Sequence, residues 1–328
     1  MLIVADDLTG AADTAGAFAS AGHRCVVLLG HRTPMWAPES TVVALDTDSR
    51  AMSESDAFDV TATAVRAHAG WPVYVKIDST VRGHVRAIVL AALAARRATV
   101  AKPARVVVCP AFPALGRTVV DGTARLDGQP LPGGDLRGLL ADVAAATELV
   151  VVDAETDADL AALVEAKHDP ARPEATLWVG SAGLARHLAE RTAAGSRARG
   201  SSVRHDRLAA AHVVVVVGSQ HERIAVQVAR LGADTRVVQI DPRHPTTVED
   251  IMPVLTDADG LVLTGGHTAR VVLDALGITT LDVGGEVVTG MPWSTATRTN
   301  RRLSIVTKAG GFGDEMALRR AVEFLEHG

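Results

Sequence analysis

Two adjacent carboxylates, Asp6 and Asp7, stand at the end of a short apolar run, Leu2–Ala5, and Thr9 and Gly10 open a stretch of small residues behind them. A strand that ends in acids before a helix start presents them at the mouth of an α/β sheet, where ligands collect. Paired acids there suit a hydroxylated substrate, a bound cation or a proton to be removed, and they repel a bare phosphate. The plain alternative is one acid capping the helix and the other solvated. A second cluster follows another apolar run: Lys76, Asp78, Ser79, Thr80 and Arg82, with Gly83 opening a helical stretch. Its cations, acid and hydroxyls match an anionic, polyhydroxylated ligand, and Arg82 can hold a carboxylate through two parallel hydrogen bonds. A capped helix start with a surface ion pair is the competing account. The third cluster, residues 109–122, is a loop stiffened by Pro110, Pro113 and Gly116 that ends in Arg117 and Thr118.

Further along the chain the chemistry changes. Gly218 and Ser219 follow Val213–Val217; Gly265, Gly266, His267 and Thr268 follow residues 261–263; Lys308, Ala309, Gly310, Gly311, Phe312 and Gly313 follow residues 303–307. Glycines at strand ends let the backbone approach a ligand and offer N–H groups to phosphates, so three such turns point to a nucleotide. There is no GxxxxGK[ST] and no GxGxxG after a first strand, which excludes a P-loop and argues against a dinucleotide oxidoreductase. The histidines show no metal-ligand spacing, and His221 beside Glu222 is too small a set for zinc. For His267 the expected role is shape and hydrogen bonding in its turn. Cys25 and Cys109 form no CxxC pair, so a reduced, cytoplasmic protein is expected, with Cys109 a core thiol.

The elements that must position these groups are legible from the apolar pattern. Of 328 residues, 48% are apolar but only 3% aromatic, so the core is built from Val, Ala and Leu, as in a parallel sheet covered by helices. Strands are predicted at 2–5, 25–29, 41–45, 73–77, 106–109, 149–152 and 176–179, with helices at 10–21, 53–69, 83–97, 156–167 and 181–191. Two Asp-Gly steps within residues 118–129 predict a hairpin or flap. Residues 193–207, rich in Gly, Ser and Arg, read as a linker. Strands then restart at 213–217, 236–240, 261–263 and 303–307. The expectation is an α/β protein of two domains, 1–205 and 206–328, each a mostly parallel sheet flanked by helices, with a small-molecule site in the cleft between them. The net charge of -5 gives no electrostatic case for nucleic acid or an anionic membrane, and no apolar stretch reaches membrane length.

Taken together, VADDLTGAADTA, KIDSTVRG, CPAFPALGRTVVDG, VVGS, LTGGHTA and KAGGFG resemble, in order, the motifs of the four-carbon acid sugar kinase family, formerly a family of unknown function. The resemblance implies an N-terminal domain for the acid sugar and a C-terminal domain for ATP. It also implies phosphorylation of the terminal hydroxyl of threonate, erythronate or a 3-oxo relative. By motif, Ser219, Gly265, Gly266, His267, Thr268 and Gly311 would contact ATP. Asp6, Lys76, Ser79, Arg117 and Thr118 would hold the acid sugar, with Asp7, Asp78 and Arg82 as the catalytic set. Asp7 is the favoured base and Asp78 its competitor; Lys76, Arg82 and Lys308 are candidates to offset phosphate charge. Mg²⁺ is expected with ATP. On this reading a bulky residue at Gly266 would weaken ATP alone. The interval from Gly218 to Gly265 is shorter than is usual in the family, so a non-catalytic pseudokinase that binds acid sugar or nucleotide is the alternative. A homodimer is the default assembly.

Overall fold

The computed structural model describes residues 1–30, 41–98, 105–197, 209–218, 222–241, 243–244, 246–299 and 301–327. The boundary expected near residue 205 and Ser219 lie outside these residues. The strands are β1 (Leu2–Ala5), β2 (Arg24–Leu29), β3 (Thr41–Asp46), β4 (Val73–Lys76), β5 (Arg105–Cys109), β6 (Arg117–Val120), β7 (Thr123–Leu126), β8 (Gln129–Asp135), β9 (Leu149–Val151), β10 (Thr176–Gly180), β11 (Val213–Val217), β12 (Arg236–Gln239), β13 (Gly260–Thr264), β14 (Thr280–Val288), β15 (Met291–Arg298) and β16 (Arg301–Lys308).

Two parallel blocks are joined edge to edge. The N-terminal block runs β2-β3-β1-β4-β10-β5-β9 and the C-terminal block β12-β11-β13-β16; both are parallel throughout. Between them lie β15 and β14, antiparallel to each other, to β16 and to β2, so that one 13-stranded sheet crosses the molecule. This bridge was not among the expected strands. Gly284 and Gly285 interrupt β14 and Pro292 sits in β15, residues that read as a turn. The structure explains the glycines: a Cβ on Gly284 would collide with the Trp293 ring of β15, and Gly285 has φ of +139° at an irregularity in the pairing.

The strands are buried because helices cover both faces, and their Val and Leu runs fill three apolar clusters. Helix α1 (Leu8–Ser20) is built from Ala and Gly on its inner face, so it can lie close against β14, with Gly16 meeting Pro292 and Glu286. A second tie crosses the junction: Arg270 of helix Gly266–Ala275 donates Nη1 to Oδ2 of the buried Asp46, at the end of β3, at 2.9 Å. The expected flap is a small antiparallel sheet, β6-β7-β8, whose turns at Asp121-Gly122 and Asp127-Gly128 have positive φ throughout, as a two-residue hairpin requires. Cys25 and Cys109 are free and buried, and burial pushes the Cys109 thiol up to about 12. Among the described residues no helix is long and apolar enough to cross a membrane.

Candidate active site at the junction

The carboxyl ends of both blocks open on one cavity of about 760 Å³, within the range of small-molecule sites. Of the residues singled out from the sequence, Asp7, Lys76, Asp78, Ser79, Arg82, Arg117, Gly265, Gly266 and Gly311 line it. Asp6 is buried behind the wall, Thr118 pairs within the flap, Thr268 is buried under Gly218, and His267 is exposed on the helix flank.

The N-terminal wall consists largely of charges that are already matched. Asp7 caps α1: Oδ1 accepts the Gly10 N–H at 3.0 Å and Oδ2 the Thr9 hydroxyl at 2.6 Å. Arg50 donates Nε and Nη2 to Asp6 at 2.9 and 2.7 Å, and Nη2 also reaches Asp7 at 2.9 Å. Burial pushes the Asp6 carboxyl up and the Arg50 fork opposes it. Sequence reading missed Arg50, yet residues 46–50 (DTDSR) follow a strand just as the other clusters do, and the same rule applied there would have found it. Gly83, at φ +83°, is needed beside this pair, because a Cβ would come within 2.6 Å of Asp6 Oδ2.

Asp78 organises its own loop. It accepts the Thr80 amide at 3.2 Å, the Thr80 hydroxyl, and both arms of the Arg82 fork at 2.8 and 2.9 Å. Burial works to raise this carboxyl, but the Arg82 hydrogen bonds and charge, with Lys76 and Arg50, hold it well below the usual range. Val81, a β-branched residue at φ +63°, stores strain in the same turn. The buried Lys76 passes across Gly10, where a Cβ would lie 3.0 Å from Nζ, and donates to the Ile77 carbonyl at 3.0 Å. Arg117 spans the two walls: Nη1 donates to the Leu115 carbonyl at 2.5 Å, and its guanidinium lies 5.5 Å from the centre of the Phe312 ring, in the glycine loop opposite.

The C-terminal wall is rich in glycine backbone, with Arg223, Thr307 and Phe312 beside it. Lys308, at the end of β16, donates Nζ to the carbonyls of Ala309, Gly310 and Phe312 at 3.1, 2.7 and 2.9 Å. Nε2 of Gln227 lies 2.8–3.3 Å from the carbonyls of Phe312, Gly313 and Asp314. Drawing these oxygens inward leaves Gly310 and Gly311 on the cavity with N–H groups available to an anion. Burial pushes the Lys308 ammonium down to about 7, while its three acceptors favour the charged form. Lys308 is therefore an anchor for the loop, not a group on the cavity wall, which corrects its expected role in offsetting phosphate charge. Gly265, at φ +95°, donates its N–H to the Lys308 carbonyl at 2.7 Å and starts helix Gly266–Ala275, whose first turn faces the cavity.

The walls touch at Gly266. A Cβ there would stand 2.7 Å from Asp7 Oδ2 and 3.0 Å from the Thr9 hydroxyl, so a bulky residue would disturb both walls and not the nucleotide side alone. Asp13, one turn into α1 from Gly10, lies on the cavity between them; it falls within the VADDLTGAADTA motif, but sequence reading assigns it no role. Among the described residues no group of three His, Cys, Asp or Glu converges as a metal cage.

A polar cavity with ionic side chains on one wall and glycine backbone on the other is the architecture of an enzyme that brings a charged small molecule to a phosphate donor. Residues 1–137 and 133–188 match the sugar-binding N-terminal domain family, and residues 245–318 the nucleotide-binding C-terminal domain family. The chain is 32% identical to the D-threonate kinase of Bordetella bronchiseptica over 407 aligned positions, covering 98% of this chain and 96% of that protein. That alignment is longer than the 328-residue chain, so it opens gaps in it. Its fold is similar to that of a Salmonella typhimurium protein described as a putative tRNA synthase, with TM-score 0.74, 20% identity and 99% of each chain covered. It is also similar to a Bordetella bronchiseptica structure of a domain of unknown function, a citrate-bound, domain-swapped dimer, with TM-score 0.52 and 30% identity over 99% of this chain and 98% of that one. The chain belongs to the four-carbon acid sugar kinase family.

Proposed function

We propose that the protein transfers the terminal phosphoryl group of ATP to the terminal hydroxyl of a four-carbon sugar acid: threonate, erythronate or a 3-oxo relative. The observation that carries this reading is the single cavity on which Lys76, Ser79, Arg82 and Arg117 face Gly265, Gly266, Gly310 and Gly311. Arg82 has five N–H donors, of which Asp78 takes two, so its guanidinium can still accept a substrate carboxylate. Ser79 and Asp7 are placed to orient substrate hydroxyls. Gly310, Gly311 and the first turn after Gly265 offer N–H groups to the phosphates, and Lys76 and Arg117 reach the space between the two ligands. Mg²⁺ held by ATP would neutralise phosphate charge, and Asp7 and Asp78 are the wall carboxylates that could lend it an oxygen. The relatives named as D-threonate kinase and the citrate in a related structure support an acidic, hydroxylated substrate. We assign the work to the cytoplasm, with a homodimer as the assembly; the domain-swapped relative supports a dimer.

The test is ADP release from purified protein with Mg-ATP and a panel of D- and L-threonate, D- and L-erythronate and their 3-oxo forms. Turnover of one member is expected. Acid-sugar binding without turnover across the panel would favour the pseudokinase that the short interval before Gly265 suggests, and binding of neither ligand would sink both readings.

A further inference from the structure

Phosphoryl transfer to a hydroxyl needs a group to take the hydroxyl proton, and the two acids favoured from sequence are poorly suited to it. Both oxygens of Asp7 are engaged, by Gly10, Thr9 and Arg50. Asp78 is held in its anionic form by the Arg82 fork and the Thr80 turn, which makes it a weak proton acceptor. Asp13 differs from both. It lines the cavity from the middle of α1, and its Oδ1 is shielded from bulk water with no hydrogen-bond partner.

The surroundings explain why it is left this way. Four charged groups face it: Asp7 on its own helix, Lys76 from β4, Arg186 from helix Ala182–Arg197 and Glu286 from β14. Arg186 gives Nη2 to both oxygens of Glu286 at 3.0 and 2.7 Å, and the Gly290 amide closes that site at 2.7 Å. Arg186 thus makes its hydrogen bonds to Glu286, which adds a like charge near Asp13. Burial, followed by Glu286, pushes the Asp13 carboxyl up to about 7 against Lys76 and Arg186. An acid poised near neutrality, with one oxygen buried and unpaired and its side chain on the cavity lining, has the properties of a general base.

We infer that Asp13 is the catalytic base, the group that removes the proton from the acceptor hydroxyl as the phosphoryl group arrives. The inference rests on the kinase reading above. In the step, the acceptor O–H bond breaks and its proton passes to the carboxylate of Asp13, the side chain that lines the cavity. The freed oxygen forms a bond to the terminal phosphorus. The bond from that phosphorus to the bridging oxygen breaks, and its electron pair leaves with ADP. Asp13 then returns the proton to solvent.

The experiment is kcat and both KM values for the wild type and Asp13→Asn, from about pH 5.5 to about pH 9. Only the carboxylate accepts a proton, so wild-type kcat should fall as pH drops through about 7. Asp13→Asn should lower kcat by about 10²–10⁴-fold, abolish that limb, and leave both KM values within a few-fold. An Asn variant with kcat within about threefold of wild type, or one that shifts KM alone, overturns the inference. Should Asp13→Asn fail to melt cooperatively, Asp13→Glu is read in its place: it should keep partial turnover and the acid limb, and a flat profile overturns the inference. A wild type that turns over no acid in the panel sinks the kinase reading and this inference together. An active wild type with an indifferent Asp13→Asn sinks this inference alone.

Discussion

The two walls of the cavity solve different problems with different materials. The N-terminal wall is made of side chains whose charges are paired with each other before any ligand arrives: Arg50 with Asp6 and Asp7, Arg82 with Asp78. A substrate entering there must share or replace existing ion pairs, so its binding is an exchange and its selectivity depends on geometry. The C-terminal wall is largely glycine main chain, shaped from behind by Lys308 and Gln227, which bind the carbonyl oxygens of its loop. On the proposed function, a phosphate chain arriving there would meet donors already in place. The first wall can discriminate among similar acids, and the second can hold the triphosphate common to every turnover.

That contrast can be broken in several places. The largest effect is expected at the contact between the walls. Gly266→Val drives a side chain into Asp7 and Thr9, and turnover should fall by about 10²-fold or more, with both KM values raised. A variant that raised only the ATP KM would show that the walls act separately.

Next comes the loop anchor. Lys308→Met removes the donor shown for the Ala309 and Gly310 carbonyls and leaves Phe312 only Gln227, so it should raise the ATP KM by about 10–100-fold, leave the acid KM unchanged and destabilise the fold by about 2–4 kcal/mol. Steady-state kinetics and denaturant melts check both parts, and a change in the acid KM would remove the distinction drawn here.

Arg82→Ala is smaller, because its side chain is 67% exposed and shares its charge with Asp78. It should raise the acid KM by about tenfold, move the ATP KM little, and affect an uncharged polyol analogue less than the acid. Equal losses for the acid and the polyol would mean that Arg82 holds the loop and not the carboxylate.

The smallest effect is one of stability. An unfolded Asp13 loses its proton near its ordinary value of 3.8, while the folded one keeps it to about 7. The folded state therefore loses stability as pH rises between those values, and the cost is complete above about 7. Asp13→Asn lacks that charge, so it should melt above the wild type at pH 8 and approach it as pH falls toward 4. Identical melting at both ends would show that Asp13 is not desolvated.

Much of the frame was legible from periodicity. Residues 2–5 and 213–217 read as buried strands and form β1 and β11, and the Asp-Gly steps correctly placed the flap turns. The bridge was hidden, because β14 and β15 carry glycines and a proline, and the glycines are required by Trp293 and by the close approach of α1. Their meaning exists only once the partner residues are known. The site divided similarly. Of the residues given a ligand or catalytic role from sequence, nine lie on the cavity wall, since a parallel sheet delivers its carboxyl ends to one place. Lys308 has the sequence context of a phosphate ligand but faces the carbonyls behind its own loop, an outcome set by how residues 309–312 turn. Asp13 sits mid-helix on the cavity lining, and the Glu286 that raises its carboxyl comes from a remote segment, held there by Arg186.

The central claim is that acid sugar and nucleotide occupy one cavity, with the acid's carboxylate toward Arg82 and its terminal hydroxyl toward the glycine loops. The most direct measurement is proton relaxation of the bound sugar acid in the presence of the Mn²⁺ complex of a non-hydrolysable ATP analogue. The account predicts strong paramagnetic broadening, greatest at the terminal carbon and weakest beside the carboxylate, and lost when excess Mg-ATP displaces the probe. Broadening no greater than that of free sugar acid, or a gradient running the opposite way, would contradict it.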